Sequence, residues 1–89
     1  MIPIRSLLHR IRWDPAFGRG TFTLGYYDRV RRGVVQVPLA RVQIDPGNHF
    51  SFVALEDDGS AHDVPFHRVR EVYRNGELIW QRPPRQEPL

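Results

Sequence analysis

The side chains here that can do chemistry on an anion are four histidines, at positions 9, 49, 62 and 67, and thirteen arginines, with no lysine at all. Their densest grouping is Pro65-Phe66-His67-Arg68-Val69-Arg70, which runs through Glu71-Val72-Tyr73-Arg74 into Asn75-Gly76 and then Glu77-Leu78-Ile79-Trp80. Asn-Gly is the strongest short-range signal for a two-residue hairpin, because both central residues need positive φ. Closing the turn there pairs Arg74 with Glu77, Tyr73 with Leu78 and Glu71 with Trp80. It leaves His67, Arg68 and Arg70 at the far end of a two-stranded ribbon. An imidazole and two guanidinium forks on a stiff support suit anion binding.

Three further constellations carry possible chemistry. His49-Phe50-Ser51-Phe52 has the order of one half of a two-histidine phosphoesterase motif, in which imidazole and hydroxyl point the same way along a strand. The full motif needs two copies, and neither His62-Asp63-Val64 nor His67-Arg68-Val69 supplies the hydroxyl. In Tyr26-Tyr27-Asp28-Arg29, strand phase sends Tyr26 and Asp28 to one face and Tyr27 and Arg29 to the other. Tyr27 with Arg29 is the aromatic-plus-cation pairing used on single-stranded nucleic acid. A carboxylate on the core side is tolerated near a strand end, so Asp28 is expected to cap the following turn or orient an arginine. In Arg12-Trp13-Asp14-Pro15 the tryptophan reads as a helix-end anchor in the core. Arg12 and Arg5 share one side of the helix. The histidines show no metal-ligand spacing, so no metal or cofactor is expected.

These groups need elements to hold them. Ile4, Leu7, Leu8 and Ile11 follow the i, i+3, i+4, i+7 template, so residues 3–12 read as a helix that Pro3 can begin and Asp14-Pro15 ends. Residues 21–28 alternate with period two, as do Val35, Val37 and Leu39, with Pro38 pointing to an edge or a bulge. Val42 and Ile44 read as a short strand. Residues 49–55 are apolar on both faces and are assigned a central position in the sheet. A turn at 56–60, a return strand at 61–64 and the Asn-Gly hairpin follow. No internal repeat is evident. The expected fold is α+β: a curved antiparallel sheet of about six short strands with one N-terminal helix packed on it. Residues 1–82 are expected to form a single compact domain, and 83–89 a flexible proline-rich tail.

Composition narrows the class. With 89 residues, 40% of them apolar, the chain can build one modest core. It has no cysteine, no apolar run near the roughly 20 residues of a membrane span, and no signal-peptide pattern at Met1-Ile2-Pro3-Ile4-Arg5. A soluble cytoplasmic protein without membrane partners is expected. The net charge of +3 is unevenly spread: +6 over residues 1–41, −5 over 42–63 and +2 over 64–89. Basic surface from both ends of the chain can steer a polyanion toward the site.

Taken together, Ile4-Arg5, Leu7-Leu8, Ile11-Arg12-Trp13-Asp14-Pro15, Gly25-Tyr26-Tyr27-Asp28-Arg29, Pro65 to Val72 and Gly76-Glu77-Leu78-Ile79-Trp80 resemble a small prokaryotic family proposed as the RNA cyclic-group end-recognition domain. The resemblance covers residues 1 to about 82. It implies a module that recognises RNA ends, with 2′,3′-cyclic phosphate termini as ligand and RNA repair or processing as context. RNA-repair enzymes are then candidate partners. The matching polar positions are Arg5, Arg12, Tyr26, Asp28, Arg29, His67 and Arg68, to which the residue reading adds Tyr27 and Arg70. On this reading Arg29, His67 and Arg68 grip the terminal phosphate together, and Tyr27 stacks the terminal base. A binding module rather than an enzyme is expected. The alternatives are a small phosphoesterase or nuclease using His49 or His67, and a protein-interaction adaptor.

Overall fold

The computed structural model describes residues 3–82, so the expected tail at 83–89 lies outside the described residues. One helix, α1 (Ile4–Trp13), is followed by seven strands: β1 (Phe22–Asp28), β2 (Gly33–Pro38), β3 (Val42–Gln43), β4 (Ser51–Leu55), β5 (Ala61–Pro65), β6 (Val69–Arg74) and β7 (Glu77–Gln81). This is the expected α+β class. The strands form two antiparallel sheets, ordered β2-β1-β6-β7 and β3-β4-β5.

Two short 3-10 turns, Leu39–Arg41 and Phe66–Arg68, carry the chain from one sheet to the other and back. Each follows a proline in extended conformation, Pro38 at φ −61° and Pro65 at φ −61°. Proline has no N–H to continue a ladder, so each strand ends where the ring begins. The two corners share a local pattern that the sequence reading did not pick out: Val37-Pro38-Leu39-Ala40-Arg41-Val42 and Val64-Pro65-Phe66-His67-Arg68-Val69. Val42 and Val69 each donate a backbone N–H to the first carbonyl of the turn. The second copy puts a histidine where the first has alanine.

The core draws on both sheets and the helix. Ile4, Leu7 and Leu8 of α1 pack with Leu24, Tyr26, Phe52, Phe66, Val69, Val72 and Trp80. Tyr26 and Phe52 meet edge-to-face at 6.4 Å, joining the sheets, and Phe52 meets Phe66 at 5.4 Å. Burying this apolar surface is the main stabilisation available to so small a chain.

Several expectations need adjustment. Trp13 is 65% exposed, not a core anchor. With 3.6 residues per turn, it falls on the side of α1 opposite the Ile4-Leu7-Leu8-Ile11 stripe. β4 is central in its sheet, but it buries Phe52 and Ala54 while Ser51, Val53 and Leu55 stay half-exposed, so it is buried on one face and not both. Phe50 and His49 precede β4 and are exposed. The hairpin pairs Arg74 with Glu77 and Tyr73 with Leu78 as expected, but Trp80 lies opposite Val72 and Gln81 opposite Glu71. A bulge between Val72 and Tyr73 makes this one-residue shift. Because side chains alternate along a strand, the shift moves Trp80 onto the core face it shares with Val72.

Candidate nucleic-acid interface

Helix α1 has a second stripe beside its apolar one. Arg5, His9, Arg12 and Trp13 stand at i, i+4, i+7 and i+8, so they share the exposed side of the helix. Pro3 caps the start, its carbonyl accepting the Leu7 N–H at 3.2 Å. At the other end the Asp14 N–H bonds the Arg10 carbonyl and its carboxylate accepts the N–H groups of Ala16 and Phe17. The stripe therefore sits on a helix fixed at both ends.

The second 3-10 turn brings His67 to this helix. A cleft of about 650 Å³ is lined by Arg5, Ser6, His9, His67 and Arg82, with Phe66 at its base, and no carboxylate lines it. The His67 backbone is pinned: its carbonyl oxygen accepts from Arg82 Nη1 at 2.7 Å and from Arg70 Nη1 at 3.2 Å. Arg82 also reaches the Phe66 carbonyl at 3.5 Å, and its backbone N–H bonds the Arg70 carbonyl across the ribbon. Burial, and then the neighbouring Arg70 charge, pull the Arg82 pKa down, and its Nε is buried without a hydrogen-bond partner. Arg82 is thus a half-buried cation lining the cleft, with its two terminal nitrogens turned to the His67 and Phe66 carbonyls. The Arg5 guanidinium donates to His49 Nδ1 as well as lining the cleft.

A second pocket of about 380 Å³ adjoins the first and shares Arg5, His9 and Phe66 with it. Arg12 and Trp13 complete its helix side, with Asp45 the one carboxylate. The structure therefore brings Arg5 and Arg12 together, as their spacing predicts, and adds His9 and Arg82. Neither stands out in the sequence as a site residue. The i, i+4, i+7, i+8 stripe was the available signal for His9, whereas Arg82 follows only from the hairpin register.

The remaining expected site residues gather elsewhere. Arg29 and Arg68 line a depression of about 460 Å³ with Tyr27, not with His67. That depression also holds Asp28, Glu56, Asp58 and Asp63, and His62 and Arg31 each approach Glu56 to 3.3 Å. Its charges are largely compensated internally. His67 and Arg68 are adjacent in sequence, but they serve different recesses. Tyr26 is 5% exposed with its ring in the core. Burial, then Asp28 and Glu56, raise its pKa. Tyr27 is half-buried under the Arg70 guanidinium at 5.9 Å. Asp28 is a turn cap: one oxygen accepts the N–H groups of Val30 at 2.8 Å and Arg31 at 3.2 Å, which lowers its pKa.

The half-motif at His49 does not assemble. His49 precedes β4, and the Ser51 hydroxyl accepts from the Asn48 side chain at 3.0 Å. Among the described residues no group of three or more His, Asp or Glu side chains is arranged to hold a metal ion, and no helix is long and apolar enough to cross a membrane.

The chain is 30% identical over 80 residues to a UPF0248 protein of Metallosphaera sedula, an alignment spanning 89% of this chain and 91% of that relative. No solved structure matches it. The sequence profile described as the MJ1316 RNA cyclic group end recognition domain matches residues 1–82, and the chain belongs to that family.

Proposed function

We propose that this domain binds RNA 3′ ends carrying a 2′,3′-cyclic phosphate, in the cleft between α1 and the His67 corner. The observation that carries the proposal is the make-up of that cleft: Arg5, His9, His67 and Arg82 with no lining carboxylate. A cyclic phosphate bears one negative charge and two free oxygens, a geometry that suits a guanidinium fork. Arg5 supplies the fork. His67 donates to a phosphoryl or ester oxygen, and the two arginine bonds to its carbonyl hold the imidazole in place. Arg12, further along the same face, meets the phosphate of the preceding nucleotide. The Arg29–Arg68 depression carries too many carboxylates to attract a polyanion, so it is assigned a structural role. A place in RNA repair or processing, with end-modifying enzymes as partners, follows from the ligand.

The test is a titration of matched short RNAs ending in 2′,3′-cyclic phosphate, 3′-phosphate or 3′-hydroxyl. The cyclic end should bind tightest, and Arg5→Ala should cost about ten- to a hundredfold, the value of one charge-assisted bond. Arg5→Lys should recover part of this, since it keeps the charge and loses the fork. Equal affinity for the three ends would refute end recognition.

One observation favours a second reading. His9 and His67 line the same cleft, and two imidazoles can serve as base and acid in opening a cyclic phosphodiester with water. Steady conversion of the cyclic end, lost in both His9→Ala and His67→Ala, would establish hydrolysis instead. An adaptor role has no comparable support. Apart from Trp13 on α1, the large exposed apolar side chains Val30, Val34, Phe50 and Leu78 sit on separate elements.

A further inference from the structure

We propose that the pocket adjoining the anion cleft takes the nucleobase of the same terminal nucleotide, with Trp13 as its stacking wall and Asp45 as an acceptor that favours guanine. The proposal rests on the end-binding reading of the cleft and assigns the part of the ligand that reading leaves unplaced. Pocket and cleft share Arg5, His9 and Phe66, so a nucleotide whose phosphate lies in one has its base beside the other.

The walls fit a base. A tryptophan 65% exposed on a small domain is unusual, since so large an apolar surface normally goes inside. Trp13 is held in place: the His9 ring packs on it at 6.2 Å, and the Arg12 guanidinium sits 5.4 Å from its centroid. Leu8, Ile44 and Pro46 make the pocket's remaining surface largely apolar. An aromatic wall beside cationic groups is how single-stranded RNA is commonly gripped.

The polar groups give the direction of selectivity. The loop Asp45-Pro46-Gly47-Asn48 is closed by the Asn48 N–H donating to the Asp45 carbonyl at 2.9 Å. One Asp45 carboxylate oxygen accepts the Gly47 N–H at 2.9 Å, which fixes the side chain at the pocket. The Asn48 amide is engaged within the loop, its oxygen by the N–H groups of Phe50 and Ser51 and its nitrogen by the Ser51 hydroxyl. Asp45 is the one carboxylate lining the pocket, and a carboxylate accepts only. Guanine alone offers two adjacent N–H donors on its Watson–Crick edge. The other bases turn at least one acceptor toward a carboxylate placed there.

The experiment uses four short RNAs on the full chain. The end is 2′,3′-cyclic phosphate or 3′-hydroxyl, and the terminal unit is guanosine or 1-deoxyribose, which keeps both oxygens and lacks the base. Removing the base should weaken cyclic-end binding about tenfold or more, as stacking contacts do. Trp13→Ala should bring the guanosine RNA down to the level of the base-less one, and Trp13→Phe should restore most of the loss. Because Trp80 is buried, quenching of the protein's fluorescence by the guanosine RNA, and not by the base-less one, reports on Trp13 directly. Among cyclic-end RNAs terminating in each of the four bases, guanosine should lead by about tenfold. Asp45→Asn, which keeps the turn acceptor, should erase that lead. Equal binding with and without the base overturns the pocket and leaves end recognition standing. A base effect with no difference between cyclic and hydroxyl ends overturns end recognition and leaves the pocket. Adenosine matching guanosine removes Asp45 from the assignment.

Discussion

Asn75 gives the sharpest stability prediction, because its two roles separate by substitution. It sits at φ 51° with Gly76 at φ 82°, the left-handed pair a two-residue hairpin requires. It also ties the hairpin tip to the start of β1: its side-chain oxygen accepts the Thr21 N–H at 2.9 Å, and its own N–H donates to the Thr21 carbonyl at 2.7 Å. Alanine forfeits both the side-chain acceptor and the tolerance for positive φ. The φ cost is about 1 kcal/mol for a non-glycine residue, and the exposed hydrogen bond contributes about 0.5 kcal/mol, the low end for a neutral pair. Asn75→Ala should therefore cost about 1.5 kcal/mol, a fall in Tm of roughly 6–12 °C for a domain of this size. Asn75→Gly loses the bond and is spared the φ strain, so it should cost about 0.5–1 kcal/mol. Asn75→Asp keeps the acceptor and should stay within about 0.5 kcal/mol of the parent. Thermal and urea melts followed by tryptophan fluorescence and far-UV circular dichroism measure all three. RNA affinity of the folded variants should not move, because the turn is at the opposite end of the β6–β7 ribbon from His67. A glycine variant less stable than the alanine one would refute the φ argument, and an alanine variant as stable as the parent would refute both terms.

Three further outcomes are expected. If Arg5, Arg12 and Arg82 neutralise three phosphate charges between them, log K for short single-stranded RNA should fall against log salt with a slope of about −2, and a flat response would end the phosphate reading. Asp28 has a pKa lowered by its two backbone N–H donors, so its stabilisation is complete above the unfolded value near 3.9 and is lost as pH falls through the folded one. Asn at that position keeps the acceptor without titrating, so Asp28→Asn should flatten the acid side of the stability curve in urea melts, and an unchanged acid slope would contradict the assignment. Arg82→Lys should lower stability by about 1 kcal/mol and cyclic-end affinity several-fold, since an ammonium cannot span the Phe66 and His67 carbonyls as the guanidinium does. Melts and titrations both unchanged would show that Arg82 does not position His67.

Local physics made much of this fold legible in the sequence. The α1 stripe, the period of β1, the Asn-Gly turn and the capping role of Asp28 each follow from spacing or from one residue's chemistry. What stayed hidden depends on non-local packing. The division into two sheets is made by Pro38 and Pro65, whose shared Val-Pro corner pattern has meaning only once both copies are seen to turn a strand out of its sheet. The Val72–Tyr73 bulge is invisible to turn arithmetic. It is set by the need of Trp80 for the core face, and it also decides where Arg82 goes. The grouping of Arg29, His67 and Arg68 came from proximity in two motifs, and the 3-10 turn sends His67 and Arg68 to different recesses. Arg5 and Arg12 were legible as one patch because a helix fixes their relation, and the same rule extends the patch to His9 and Trp13.

The most direct test of the central claim is chemical-shift mapping of the isotope-labelled domain with two RNAs that differ only in a 2′,3′-cyclic phosphate or a 3′-hydroxyl at the end. Shift differences between the two complexes should centre on Arg5, His9, His67 and Arg82 and leave Arg29 and Arg68 close to their free positions. Differences centred on the Arg29–Arg68 depression, or identical shifts with the two RNAs, would contradict it.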